Sequence, residues 1–268
     1  MLLCFGGLVG RAQNIQPPVT PITDSAKSKI LKPVPVLKPK VKKPKPISRE
    51  LSAGVRLNTD GWTGFLERGI VKSDIKESDL FYNIAYASIE FSEKKHPKER
   101  RSNSLGGSND DGSNSYIFGK VNNFYTLKLG YGYRRMIAGK PDPGTVSIHW
   151  IYNGGLSVGL LKPYYVDMAS SGESIKYTDS TQSDFLSGQN IMGASGFGKG
   201  LGELKVIPGL HFKTGLHFDF ATTVRSKLAI ETGISLELYT KRIELMANQK
   251  GLPYFANLYV SLQFGRRW

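Results

Sequence analysis

From about residue 50 onward, apolar and polar positions alternate with a period of two, which predicts extended strands with two unlike faces. The pattern is cleanest in the second half of the chain. Over 123–137, Tyr125, Leu127, Leu129, Tyr131 and Tyr133 fall on one side, and Lys128, Gly130, Gly132 and Arg134 on the other. Over 145–165, Val146, Ile148, Trp150, Tyr152, Leu156, Val158 and Leu160 oppose Ser147, His149, Asn153, Gly155, Ser157 and Gly159. Leu210, Phe212, Leu216, Phe218 and Phe220 then oppose His211, Lys213, Gly215, His217 and Asp219. Leu228, Ile230, Ile234 and Leu236 oppose Glu231, Gly233, Ser235 and Glu237. In the last stretch Leu258, Val260, Leu262 and Phe264 oppose Tyr259, Ser261 and Gln263, and the chain closes on Trp268. The predicted strands lie near 51–58, 62–71, 80–91, 123–137, 145–165, 209–221, 227–240 and 255–265, with Asp60-Gly61 as a tight turn after the first.

Alternation alone suits a soluble barrel with its apolar face inward as well as a membrane barrel with that face outward. Size separates the two. Eight strands enclose a space just wide enough for side chains. Here the polar face is made of Gly and Ser mixed with Lys, Arg, Asp and Glu, which suits a narrow interior, while the apolar face is bulky and aromatic, which suits lipid. The chain is therefore expected to be all-β, an eight-stranded antiparallel transmembrane β-barrel over residues 49–268. With an even strand number both termini lie on one side. The connections 59–61, 92–122, 166–208 and 241–254 then fall at the opposite end, and 72–79, 138–144 and 222–226 at the same end as the termini. The two longest are sorted to one end, as in barrels with short periplasmic turns and long outer loops. In the longest, Phe185, Leu186, Ile191 and Met192 predict a short helix or a lid over the barrel mouth.

Composition narrows the class further. The 268 residues are 40% hydrophobic with a mean hydropathy of −0.27, and no run of about 18 apolar residues offers a membrane helix. Thirty Gly and thirteen each of Tyr and Phe favour strands and turns over helices. Cys4 is the single cysteine, so no intramolecular disulfide framework exists. The net charge is +14, of which nine cations lie between Lys27 and Arg49 with no acidic residue among them. That tract carries no stacking aromatics, so no nucleic-acid partner is expected. Residues 1–12 read as a secretory signal: Leu2 through Val9 form the apolar core, and Gly10-Arg11-Ala12 places small residues before a cut at Gln13. Residues 13–48 are too rich in proline to form a helix or pair in a sheet and are expected to be a disordered, basic Pro/Lys-rich periplasmic linker. Extended at about 3 Å per residue, some 30 residues of it span on the order of 90 Å.

The secretory start, the Pro/Lys spacer and the segments Asn122-Asn123-Phe124-Tyr125, Leu129-Gly130-Tyr131-Gly132 and Leu262-Gln263-Phe264-Gly265-Arg266-Arg267-Trp268 resemble small outer-membrane β-barrel proteins of Bacteroidota-type bacteria. The resemblance covers about residues 50–268 and implies the outer membrane of a Gram-negative cell with periplasmic termini. It carries no catalytic motif. One departure is that Phe264 is followed by Gly265-Arg266-Arg267 before the terminal aromatic, which leaves open which residue the insertion machinery reads.

The candidate chemistry is that of the polar face. Lys128, Arg134, His149, Lys213, His217, Asp219, Glu231 and Glu237 are expected to form a structural network inside the barrel, the cations pairing with Asp219, Glu231 and Glu237, because a charge in a narrow interior is costly unless paired. Leu258, Val260, Leu262, Phe264 and Trp268 form the expected membrane-insertion signal. His211 and His217, six residues apart on one strand and so about 20 Å apart, cannot share a metal. Gly155-Leu156-Ser157-Val158-Gly159 matches a nucleophile-elbow pattern but lies inside a strand, where the required strand-to-helix turn is missing. Gly193 through Gly200 resembles a phosphate-binding loop without the helix that such a loop opens. No cofactor, metal or catalytic residue is assigned. The function expected is non-enzymatic: an anchor or accessory subunit of a transport or assembly complex. Its contacts would be outer-membrane lipid, the barrel-insertion machinery and a periplasmic or cell-wall partner reached through Lys27 to Arg49. The competing expectations are a lipid hydrolase acting at the rim and a narrow channel.

Overall fold

The computed structural model describes residues 48–72, 83–102, 115–139, 145–188, 190–221 and 225–268. The signal segment and the linker up to residue 47 lie outside them, as do the expected start of the third strand at Leu80 and the Gly/Ser/Asn/Asp-rich stretch 103–114. Eight strands form one closed antiparallel barrel: β1 (Arg49–Asn58), β2 (Gly61–Lys72), β3 (Asn83–Lys94), β4 (Asn122–Ala138), β5 (Ser147–Pro163), β6 (Lys205–Asp219), β7 (Ser226–Ile243) and β8 (Leu252–Arg267). Each strand pairs with its neighbours in sequence, and β1 pairs with β8 from Glu50↔Arg267 to Asn58↔Tyr259. The seam is sewn further by Ser48 and Arg49, whose N–H groups donate to the Trp268 carbonyl at 3.1 and 3.0 Å.

Register determines the shape. The ladder starting at Arg49 runs through Ile70, Ala85, Tyr133, Tyr152, Thr214, Ile234 and Leu258. Asn58 pairs with Tyr259, so the ladder returns to β1 at Thr59, ten residues above its start. A displacement of ten residues over eight strands, with the usual rise and strand spacing, tilts the strands by about 41° and gives a backbone radius of about 8 Å. Strands tilted in this way climb about 2.5 Å per residue along the barrel axis.

The faces follow the alternation. Inward are residues such as Arg56, Glu67, Glu90, Lys128, Arg134, Lys213 and Glu231, all buried. Outward are large apolar side chains from every strand: Val55, Leu66, Ile89, Leu129, Leu156, Leu210, Ile234 and Val260 are each more than half exposed. Several strands run longer than the sequence predicts. β6 begins at Lys205 instead of Gly209, pairing Lys205↔Leu161 through Pro208↔Val158, although proline removes a ladder donor and reads as a strand end. β7 continues past Thr240 to Ile243.

The connections at the two ends differ. The links β3–β4, β5–β6 and β7–β8 lie at the end away from the termini. The β5–β6 connection forms a three-stranded sheet (Tyr165–Met168, Ser174–Lys176, Ile191–Ala194) and a helix over Gln182–Ser187, and its buried Tyr164, Val166, Phe185 and Ile191 share a small core with Tyr116 of the β3–β4 connection. The expected apolar cluster is thus partly corrected: Phe185 sits on a helix and is buried, but Ile191 and Met192 sit on a strand and Met192 faces out. The mouth is covered by other connections. Those of β3–β4 and β7–β8 meet across it, with the N–H of Val121 donating to the Leu245 carbonyl (2.8 Å), that of Ala247 to the Gly119 carbonyl (2.7 Å), and a bridge between Lys120 and Met246. Beneath them Phe124, Leu161, Ile207, Tyr239, Ile243 and Leu245 pack into an apolar plug.

Close approach of the strands makes some inward positions intolerant of any side chain. A Cβ on Gly155 would stand 2.0 Å from the Leu129 carbonyl oxygen and 2.8 Å from the Gly130 Cα, both backbone atoms that cannot swing aside. Gly155→Val is expected to reduce the folded fraction, since overpacking costs about 1–3 kcal/mol or more. The loss of the compact, fast-migrating band in unheated gel electrophoresis measures it, and a wild-type band would show that β4 and β5 separate freely there.

Candidate functional site

The interior side chains form one connected ionic chain. At the end near the termini, Asp219 pairs with Arg267, and Arg267 with Glu50 at 2.9 Å. Glu50 pairs with Arg134 (2.7 Å), Arg134 with Glu67 (2.8 Å), and Glu67 with Lys213 (3.4 Å). Lys213 continues to Glu90 (3.2 Å), Glu90 to Lys128 (3.5 Å), Lys128 to Glu237 (2.9 Å), Glu237 to Lys94 (2.9 Å) and Lys94 to Asp60 (2.8 Å) beneath the mouth. Sign alternates at every link. Arg56 branches to Glu90 at 2.7 Å, Lys227 to Glu50 at 2.6 Å and Glu231 to Lys213 at 3.5 Å. Among the described residues the barrel interior holds seven cations (Arg56, Lys94, Lys128, Arg134, Lys213, Lys227, Arg267) and seven carboxylates (Glu50, Asp60, Glu67, Glu90, Asp219, Glu231, Glu237), so it is neutral as a whole.

Neutral groups complete the shells. Tyr239 donates to Glu237 at 2.7 Å and Tyr259 to Glu231 at 3.0 Å. The Gln263 amide donates to Glu67. Arg56 is sandwiched between the rings of Phe65 and Tyr259, at 4.8 and 4.9 Å, and Arg134 lies 5.0 Å over Tyr86. Such stacking suits a planar, weakly hydrated guanidinium better than an ammonium.

The structure places all eight residues of the expected network in the interior but pairs some of them differently. Lys128 meets Glu237 and Lys213 meets Glu231. Arg134 instead joins Glu50 and Glu67, and the partner of Asp219 is Arg267. His217 Nδ1 lies 3.2 Å from Glu231, and its ring meets that of His149 edge to face at 5.9 Å, their strands being paired at that register. His211 is held by Asn153 at 3.3 Å. Ser157, in the elbow-like segment, shares a hydrogen bond with the Tyr239 hydroxyl at 2.9 Å inside the barrel. Leu258, Val260, Leu262, Phe264 and Trp268 all face outward, whereas Arg267 between them turns in. Glu50, Arg56, Glu67, Glu90, Lys94 and Lys227 belong to the chain without having been singled out from the sequence. Their signal was parity: Glu50, Ser52, Gly54 and Arg56 oppose Leu51, Ala53, Val55 and Leu57 as cleanly as any later strand.

No protein-family model matches this chain, and no curated protein matches it. Solved structures do. Neisserial surface protein A (NspA) is similar at 10% identity, covering 81% of this chain and 94% of that one, with a TM-score of 0.32. Ail, the attachment invasion locus protein of Yersinia pestis, is similar in a complex with the heparin analogue sucrose octasulfate (10% identity, 83% and 99% covered, TM-score 0.35) and in a second crystal structure (12%, 82% and 99%, TM-score 0.28). At such scores these likenesses decide nothing about what this chain does.

Removing one member of the ionic chain leaves its buried partners with one opposite charge fewer and the interior no longer neutral. Arg134→Met leaves Glu50 with Lys227 and Arg267 but Glu67 with Lys213 alone, gives the interior a net negative charge, and is expected to cost about 3–5 kcal/mol in denaturant unfolding of detergent-folded protein. Adding Glu67→Gln to Arg134→Met should recover part of the loss. Equal stability of wild type and the single variant would show that the chain carries no structural weight.

Proposed function

We propose that the chain is a Gram-negative outer-membrane β-barrel that acts as a non-enzymatic anchor or accessory subunit. The observation that carries this reading is the pairing of an apolar exterior with a filled, charge-neutral interior. On β8 every outward residue from Tyr254 to Phe264 is apolar: Tyr254, Ala256, Leu258, Val260, Leu262 and Phe264. On β7 the outward set from Leu228 to Leu238 is interrupted only by Thr232. Ten residues at this tilt span about 25 Å, the height of a lipid-facing band. Exposed apolar surface on this scale has no place on a soluble monomer. Among the described residues no helix is long and apolar enough to cross a membrane.

The interior supports anchoring over conduction. Its charges are matched to one another, leaving none for a passing ion, and the mouth lies under an apolar plug and two joined connections. Nor does the geometry favour a rim hydrolase, since His211, His217 and Ser157 engage Asn153, Glu231 and Tyr239 within the barrel. The connections at the closed end would then present binding surface. The basic tract from Lys27 to Arg49 would engage periplasmic or cell-wall partners, and the outward C-terminal residues would be read by the insertion machinery. A Bacteroidota-type source remains part of the proposal.

Val260 lies near mid-height of the band and is 54% exposed. In lipid, Val260→Arg is expected to cost about 2–4 kcal/mol, whereas a water-facing site would tolerate it; unfolding of protein refolded in lipid vesicles reads the difference, and no loss refutes the membrane assignment. Planar bilayers containing the wild-type protein should show no single-channel steps. Pull-down from native membranes in mild detergent should recover a fixed partner, and recovery always alone would argue against an accessory role.

A further inference from the structure

The end of the β5–β6 connection, together with the first residues of β6, does not behave as a solvent-facing loop. Four large apolar side chains within ten residues, Phe197, Leu201, Leu204 and Val206, are 69%, 45%, 37% and 64% exposed. They lie outside the small core of that connection, which is built from other residues. The segment is nevertheless well tied down. The Ser195 N–H donates to the Tyr165 carbonyl at 3.0 Å, and Lys199 and Glu203 close successive turns on Gly196 and Gly200. Gly200 has φ +79°, and a Cβ there would meet the Pro163 carbonyl at 3.0 Å and the Tyr165 ring at 3.1 Å, so the turn is pressed onto the end of β5. Lys162 holds it from below, donating to the Phe197 carbonyl and standing 4.3 Å over its ring. Order combined with exposed apolar surface calls for a partner.

The aromatic contacts identify that partner. On the barrel exterior, Trp62 of β2 meets Phe91 of β3 edge to face at 6.2 Å, and Phe91 stacks on Tyr125 of β4 at 6.0 Å. Tyr125 in turn meets Phe197 at 6.3 Å. The row runs around the upper edge of the apolar band and passes from the barrel onto the connection without a break. Trp62 Nε1 donates to Glu93 at 2.9 Å, as an aromatic with one apolar and one wet side does at a membrane boundary. Lys199 and Lys205 are interspersed among the apolar quartet and are exposed, and long cationic side chains at such positions suit headgroup phosphates.

We propose that residues 195–206 form an interfacial foot that rests on the lipid surface, with Phe197, Leu201, Leu204 and Val206 at the headgroup–acyl boundary and Lys199 and Lys205 among the headgroups. The foot extends the barrel's lipid contact sideways beyond its wall and fixes the height and orientation of the β5–β6 connection above the membrane. This rests on the membrane reading above, and the test separates the two.

On a Cys4→Ser background, single cysteines at Phe197→Cys, Leu201→Cys, Leu258→Cys and Lys98→Cys are labelled with a polarity-sensitive fluorophore. The full chain is then reconstituted in vesicles of phosphatidylcholine and phosphatidylglycerol with nitroxide lipids. The probes at 197 and 201 should emit to the blue of that at Lys98 and be quenched several-fold more, most by nitroxides near the headgroup. The probe at Leu258 should respond most to nitroxides deeper in the chains. The Leu201 variant keeps the Phe197 ring, so a local loss of the aromatic row cannot mimic a negative result. Water-like emission at 197 and 201 with lipid-like emission at 258 overturns the foot and leaves the barrel assignment standing. Water-like emission at 258 as well overturns both.

Discussion

Fourteen formal charges cannot be held within a backbone radius of about 8 Å unless each meets its opposite, because the solvation given up on burial is worth several kcal/mol per ion. The alternating sequence from Asp219 to Asp60 meets that demand link by link. Each carboxylate in its middle touches at least two cations, so no single contact has to bear the whole cost of desolvation. Strand register follows from this as much as from the apolar exterior. Sliding one strand by a single residue would turn its ionic set into the apolar exterior and its leucines into the interior. Sliding it by two would keep the faces but separate register partners of opposite charge, such as Glu90 and Lys128 on β3 and β4 or Glu50 and Arg267 on β1 and β8. The chain therefore specifies its pairing twice, once by hydrophobicity and once by sign.

The same geometry joins the inside to the outside. A displacement of ten residues per circuit tilts the strands enough for ten-residue apolar runs to make a band about 25 Å high. It also leaves an interior too narrow for bulky residues at every inward position. Gly155 and its inward glycine neighbours give up volume so that Arg134, Lys213 and the three inward histidines can fit. Above the ionic chain the character changes within one layer: Phe124, Tyr239 and Phe255 pack together, with Phe124 and Phe255 stacked at 5.6 Å, and polar matching gives way to an apolar stopper.

Much of this was legible in the amino-acid order. The strand number, the two faces from Tyr125 onward and the sorting of long connections to one end all follow from period-two patterning and turn residues. Contacts between distant strands were harder to read. Lys213 and Glu67 are 146 positions apart, and parity shows that both point inward without showing at what height either sits. Height depends on the ten-residue displacement, which no local pattern reveals. On β2 and β3 the pattern is also blurred: Arg68 faces out while Phe65 faces in, and Ile84 and Tyr86 occupy interior positions. Glu67 and Glu90 were hidden by these neighbours. The joining of the β3–β4 and β7–β8 connections rests on backbone hydrogen bonds, to which any side chain is compatible, so composition carries no trace of it.

The seam between β1 and β8 has a kinetic meaning. Every other neighbouring pair of barrel strands is joined by a connection that keeps its loop-closure entropy modest, but this pair brings Glu50 to Arg267 across 217 positions. Until the final strand arrives, two edges stay open and the ionic chain lacks Arg267, so Glu50 is left with fewer cations to satisfy it. No smaller number of strands makes a finished intermediate. Closure must therefore wait for β8, and a chain halted short of it holds unpaired strand edges that invite pairing with other molecules.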